Sequence, residues 1–208
     1  MKVKGPKVKL SRRLGIPLTP KASRVMSRKP YPPGLHGVRQ RLGRVRMSDY
    51  KRQLLEKQKL SAQYNITEQQ LRNYFEKAIH RAQRIPDITT GDVLVQLLET
   101  RLDAVVMRGG LARTIYAARH YVSHRHILVN GRRVNLPAYQ VQVGDVVSVR
   151  PESRRISAFA EALEGANPPP YLQLSRDDVS VRLVYLPRRD EIPVLGELRL
   201  VLEYYSRR

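Results

Sequence analysis

The 208-residue chain contains no cysteine. That excludes a disulfide framework, a thiolate nucleophile and a cysteine zinc site, and several enzyme classes with them. Asp and Glu are missing altogether between Met1 and Ser48. No apolar run approaches the roughly 20 residues needed to span a bilayer, so no membrane partner is expected. The opening MKVKGPKVKLSRRLG is basic but has neither an apolar h-region nor a small-residue cleavage site, and reads as the arm of a cytosolic protein. There is no P-loop, no GxGxxG and no internal repeat. No pair of carboxylates stands out for general acid–base work, so enzyme activity is not expected.

What the chain has in excess is positive charge: 39 Lys plus Arg against 18 Asp plus Glu, a net +21. Solubility needs a net charge of only about 2–8, so the surplus predicts a polyanionic partner, nucleic acid first. Arginine outnumbers lysine, and its planar fork binds phosphate bidentately and stacks on bases. The length suffices for one large domain or two small ones, each with a core.

Residues 1–47 read as a basic extended arm that repels itself and orders on its partner. Its candidate RNA contacts are Arg12, Arg13, Arg24, Arg28, Lys29, Tyr31, His36, Arg39, Arg41, Arg44 and Arg46. Within it, RKPYPPGLHG fixes a turn-rich path, with Tyr31 and His36 available for stacking; a plain proline linker is the alternative.

After the arm the pattern turns helical. Ser48 or Asp49 caps a basic helix in SDYKRQLLEKQKLSAQY, with Tyr50, Leu54 and Leu60 as a broken apolar stripe. Thr67 and Gln70 form a capping box for a second helix, carrying Leu71, Phe75, Ala78 and Ala82 and ending before Pro86. GDVLVQLLETRLDAVVMRGG reads as one helix stopped by Gly109-Gly110, with Arg101 and Asp103 in structural roles, a salt bridge or a cap. A further helix, LARTIYAARHYVSH, buries Leu111, Ile115, Ala118 and Val122 and leaves its cations elsewhere around the axis. Ile127–Val129 then forms a strand with a tight Asn130-Gly131 turn. YQVQVGDVVSV alternates around a second turn at Gly144-Asp145. SRRISAFAEALEG suggests a short helix, YLQLS and VSVRLVYLP two strands. The ending LGELRLVLEYYSRR fits strand or helix equally.

The segment SHRHILVNGRRV invites three readings. His120 and His124 share a helix face at i, i+4 with His126 nearby, but no carboxylate or cysteine supplies a further metal ligand. Ser123 beside two histidines lacks an orienting acid and a strand-elbow pattern for nucleophilic catalysis. A helix carrying Arg113, Arg119, His120 and His124, followed by a hairpin presenting Asn130 and Arg132, suits an RNA backbone. A solvated charge face is the bland alternative, and the chain-wide lack of compensating acids argues against it.

The stretch LLETRLDAVVMRGGLARTIYAARHYVSHRHILVNGRRVNLPAYQVQVGDVVSV resembles the S4 RNA-binding domain. RRLG, YPPGLHG, SDYKRQLLEKQKLSAQY, LRNYFEKA and LEYYSRR extend the resemblance to the bacterial-type small-subunit ribosomal protein S4 (uS4) family over nearly the whole chain. The resemblance implies an α+β fold: the basic arm, an α-helical domain at 48–96 completed by 187–208, an inserted S4 domain at 97–155 with a small antiparallel sheet, and a short helix and strands at 156–186 packed on it. It makes the C-terminal segment a helix. It implies a non-enzymatic, cytoplasmic constituent of the 30S subunit that binds the 5′ domain of 16S-type rRNA and nucleates assembly of the subunit body. Ribosomal proteins S5 and S3, and messenger RNA where it enters the subunit, would be neighbours, with an influence on accuracy shared with S5.

Carried over by position, the RNA surface would include Arg113, Thr114, Arg119, Ser123, His124, His126, Asn130, Gly131 and Arg132, and from the helical part Tyr50, Lys51, Gln53, Lys57, Gln58 and Lys59. Two features depart from the family. Ile115 stands where arginine is usual after Thr114, and the four N-terminal cysteines that hold zinc in many members are absent, so no zinc or other cofactor is expected. The alternatives are a free RNA-binding regulator using the same surface, which co-sedimentation with small subunits would separate, and an RNA-modifying enzyme with an appended S4 domain, for which no catalytic domain is visible.

Overall fold

A computed structural model of the chain describes residues 5–38 and 47–206. The fold is α+β, with two compact units: Met1–Phe75 together with Val194–Arg208, and Glu76–Pro193. Residues 76–96 and 187–193 therefore go with the second unit, outside the limits of 97–155 and 156–186 expected for the S4 domain and the elements beside it.

In the first unit, part of the supposed extended arm is helical. Helix α1 (Lys7–Leu14) ends at Gly15, whose φ of 73° gives the left-handed stop that glycine adopts most easily. Helix α2 (Pro20–Arg28) starts with Pro20 at its first position and Thr19 as cap, the Thr19 hydroxyl accepting from Ala22 N–H at 3.1 Å. The reason for the departure is apolar spacing that charge conceals: Leu14 and Ile16 are buried against Ala62, with Leu10 and Leu18 packed on them. Ser11, fully buried, donates to the Lys7 carbonyl and accepts from Leu18 N–H, tying helix to turn.

Helix α3 (Asp49–Gln63) is capped by Ser48, and α4 (Glu68–Ala82) by the Thr67–Gln70 box, reciprocal at 3.3 and 3.0 Å. The boundary between the units falls within α4. The C-terminal segment, ambiguous by periodicity, is helix α9 (Leu198–Ser206). It buries Leu198, Val201 and Tyr204, at i, i+3 and i+6, while Leu195 is half exposed. Polar ties fix it to α3: Gln53 donates to Glu203 at 3.2 Å, Glu197 N–H to Glu56 at 2.9 Å, and Gln63 exchanges two bonds with the Leu195 backbone. Tyr205 stacks on Phe75 with centroids 4.9 Å apart and donates to Glu68 at 2.9 Å.

In the second unit, α5 (Thr90–Glu99) begins with a Thr89–Asp92 capping box. The single long helix expected here is broken: α5 stops at Glu99 and α6 (Leu102–Arg108) begins afresh. Arg101 occupies the break in extended conformation and bridges Gln140, while Leu102 and Asp103 N–H groups donate to the Tyr139 and Pro137 carbonyls. Both Arg101 and Asp103 are completely buried, joined at 2.9 Å through Arg101 Nε and 2.6 Å through Nη2. Residues 139–143, expected as part of an alternating strand, lie outside the strands, with 139–141 in this docking loop. Burial raises the Asp103 carboxyl pKa, and the bonds from Arg101 with the charge of Arg119 oppose the rise.

Helix α7 (Ile115–Ser123) starts later than its apolar pattern suggests, because Thr114 caps it and Leu111 lies in the preceding turn. Strands β1 (Ile127–Val129), β2 (Arg132–Arg133), β3 (Val146–Val149), β4 (Leu172–Ser175) and β5 (Ser180–Leu183) form one antiparallel sheet in the order β2-β1-β3-β5-β4. Helix α8 (Ser157–Glu164) contributes Phe159 to a core that includes Leu98, Val105, Ile115, Val122, Ile127, Val147 and Val181. A second buried polar group pairs Glu99 with Arg108 at 3.0 Å and accepts from the Tyr171 hydroxyl at 3.0 Å; burial, then the Glu99 charge, raises the Tyr171 pKa.

Removing one member of a buried pair strands the other's charge, which costs about 3–5 kcal/mol. Asp103→Ala is therefore expected to destabilise the protein by that amount in denaturant unfolding. The double variant Arg101→Met/Asp103→Leu should lose less than the sum of its single changes, and strict additivity would show that the pair is not coupled.

Candidate nucleic-acid interface

The surface around α7 and the β1–β2 hairpin is built by burying one side of each element. Ile115, Ala118 and Val122 turn into the core, which leaves His120, Ser123 and His124 exposed. The His120 and His124 rings lie 4.0 Å apart. Ile115, which stands where the resemblance implies arginine, is 2 % exposed and is an apolar core group.

Asn130 and Gly131 make the hairpin turn at φ 48° and 76°, both left-handed, as a two-residue turn between right-twisted strands requires. Asn130 is pinned from both sides: its amide donates to Asp145 at 2.7 Å and its oxygen accepts from Val146 N–H at 2.9 Å. That turn carries Arg132 and Arg133 on β2, both exposed. Arg113 is exposed and pairs with an equally exposed Glu161 at 3.0 Å, a contact worth little in water and easily exchanged for phosphate.

Other predicted contacts have structural work instead. The Thr114 hydroxyl accepts from Ala117 N–H at 3.1 Å. Arg119 is half-buried, 3.9 Å from Asp103. The His126 Nδ1 lies 2.9 Å from the Ser153 hydroxyl, and its pKa is lowered by burial and by the neighbouring Arg150, His124 and His120. Among the described residues no group of three or more His, Cys, Asp or Glu could hold a metal ion.

In the first unit, Arg24, Arg28, Lys29, His36, Tyr50 and Lys51 are exposed. Arg12 lies 5.0 Å over the Tyr31 ring and donates to the Tyr31 carbonyl at 3.1 Å, holding the proline-rich turn. Arg13 donates to Gln58 at 3.3 Å, and Lys59 pairs with Glu56 at 2.6 Å. Gln53 and Lys57 correct the sequence reading. They are 3 % and 6 % exposed, Gln53 bound to Glu203 and Lys57 held between Glu68 at 2.6 Å and the Tyr204 ring at 4.3 Å. Their amphipathic chains complete the seam with α9, which polar residue type alone does not reveal, so both leave the interface. Arg39, Arg41, Arg44 and Arg46 lie outside the described residues. Two exposed arginines that the sequence reading passed over, Arg125 and Arg133, flank the residues it chose; their adjacency to the histidines and to the Asn-Gly turn was the available signal.

Two family models cover most of the chain. Residues 2–99 match the Ribosomal protein S4/S9 N-terminal domain and residues 100–147 the S4 domain. The chain belongs to the uS4 family of small ribosomal subunit proteins. It is similar to uS4 of Thermobifida fusca, 44% identical with all of both chains covered. The uS4 of Streptomyces coelicolor is 48% identical with 97% of each chain covered, and that of Clavibacter sepedonicus 47% identical with 97% of this chain and 96% of the relative covered. Members of the family are ribosomal structural proteins and not enzymes.

The lowered pKa of His126 gives a signed pH dependence. The unfolded chain takes up this proton first, so the contribution of His126 to stability is intact above about pH 6.5, the ordinary histidine value, and is lost as the pH falls below it. Unfolding measured across that range should show a smaller acid-side loss in His126→Gln than in the wild type. An identical acid limb in both would show that His126 does not carry the effect.

Proposed function

We propose that this uS4 chain is a primary rRNA-binding protein of the cytoplasmic small subunit, gripping the 5′ domain of its 16S-type RNA. The observation that carries the reading is an outward cationic rim on a polar-pinned scaffold. Ser123, His124, Arg132 and the weakly paired Arg113 stand exposed around α7 and the hairpin, while Asn130 and Thr114 hold the backbone beneath them and Arg119 reaches toward the buried Asp103. Such a surface matches an RNA backbone in charge and shape without reading bases directly. The exposed Arg24, Arg28, Lys29, His36, Tyr50 and Lys51 extend the contact from the arm and helical unit, the aromatics stacking where RNA is irregular.

The finer reading rests on the resemblance. Binding at the 5′ domain orders that RNA early and so nucleates the subunit body. Ribosomal proteins S5 and S3 and incoming messenger RNA are the neighbours, and contact with S5 bears on translational accuracy.

Each neutralised phosphate should contribute a slope of roughly −0.7 to −0.9 in log affinity against log salt. The full chain, titrated with its own 5′-domain RNA and with a scrambled RNA of equal length across a salt series, should bind both steeply but keep its preference for the first. Equal affinity for the two RNAs at every salt concentration would reduce the charge to nonspecific attraction.

A further inference from the structure

One backbone position beside this surface holds a side chain where glycine would relieve strain. Arg125 follows the α7 cap residue His124 with φ at 62°. This is the position after a helix where glycine is usual, because a Cβ crowds the chain in left-handed conformation. Asn65, Asp87 and Asn130 share positive φ but have short polar side chains that tolerate it, whereas Val179, in the β4–β5 turn at φ 50°, is strained as Arg125 is but carries no charge. Arg125 has no such excuse. Its backbone is nevertheless fixed, its N–H donating to the Val122 carbonyl at 3.0 Å and the next N–H to the Tyr121 carbonyl at 3.0 Å.

What the strained residue does is place a guanidinium. Arg125, Arg133 and Asn135, all exposed, line one open hollow. Arg133 is set there by the β1–β2 ladder, opposite Leu128. Arg113, Arg119 and Arg150 each face a carboxylate; among the described residues none pairs with Arg125 or Arg133. Two unneutralised forks and a side-chain amide around a concavity form a donor set for a tetrahedral anion. Strain at a fixed, exposed position that carries a free guanidinium points to contact as its role.

We infer that Arg125, Arg133 and Asn135 form a separate phosphate-binding hollow, which takes a backbone phosphate of the RNA in addition to the contacts around α7 and the hairpin. The inference rests on the RNA-binding reading above. The contact fixes position and is indifferent to base, so its loss weakens all RNAs alike.

The test uses the full chain as wild type, Arg125→Gly and Arg133→Gln, each titrated with the 5′-domain RNA and a scrambled RNA over a salt series and each melted alone. Both variants should bind roughly three- to tenfold more weakly, with the preference between RNAs kept and the salt slope shallower by about one. Arg125→Gly should melt at the wild-type temperature or above it, because glycine relieves the left-handed strain; Arg133→Gln should melt as the wild type does. Wild-type affinity and slope in both variants would overturn the hollow while leaving the RNA-binding reading intact. So would a loss confined to Arg125→Gly and accompanied by a lower melting temperature, which would make that residue structural. A wild type that prefers neither RNA would overturn the functional reading, and this inference with it.

Discussion

The second unit depends on a buried ion pair. Arg101 and Asp103, both inaccessible to solvent, meet through two hydrogen bonds at the point where α5 gives way to α6. A charge in the interior is tolerable only with its partner in place, so the chain must break its helix there and bring the two groups together. The break frees backbone groups, and the loop from Pro137 to Gln140 docks to satisfy them. Arg119 approaches the same carboxylate from α7. One electrostatic constraint thus sets the seating of a helix, a loop and the element that carries the cationic rim.

Cations in this chain therefore have two destinations. Some are neutralised at buried positions: Arg101 by Asp103, Arg108 by Glu99, and the buried Lys57 by an exposed Glu68. The 18 acidic residues cannot serve all 39 basic ones, and among the described residues many of the others are exposed. In the proposed function, what would turn surplus charge into a recognition surface is the rigidity beneath it. The Asn130–Asp145 brace holds the hairpin, the Thr114 cap the start of α7, and the Arg12–Tyr31 contact the proline-rich turn. A preorganised set of donors loses less entropy on meeting phosphate than a flexible one would.

Much of this was legible in the residues. The caps at Ser48 and Thr67, a structural role for Arg101 and Asp103 and the Asn130-Gly131 turn follow from local chemistry that reads directly from spacing. The helices within the arm were hidden because net charge outweighs four apolar residues in composition, though Leu14 and Ile16 find a partner in Ala62 more than forty positions away. The break at Thr100–Arg101 was invisible for a similar reason, since apolar periodicity continues through it and only the distant Gln140 loop demands it. Gln53 and Lys57 resembled surface residues until α9 covered them. Arg125 could not be singled out by residue type, because its distinction is a backbone angle.

The absence of cysteine allows the most direct test of the central claim, that the face formed by α7 and the hairpin is the one that grips the 5′ domain of the small-subunit RNA. Ser123→Cys on that face and Asp177→Cys in the turn between β4 and β5, both at exposed positions, would each carry one tethered hydroxyl-radical source in the complex with small-subunit RNA. Strand cleavage from position 123, confined to a few sites in the 5′ domain and much stronger than from position 177, is the expected result. Diffuse cleavage, or the same pattern from both positions, would contradict it.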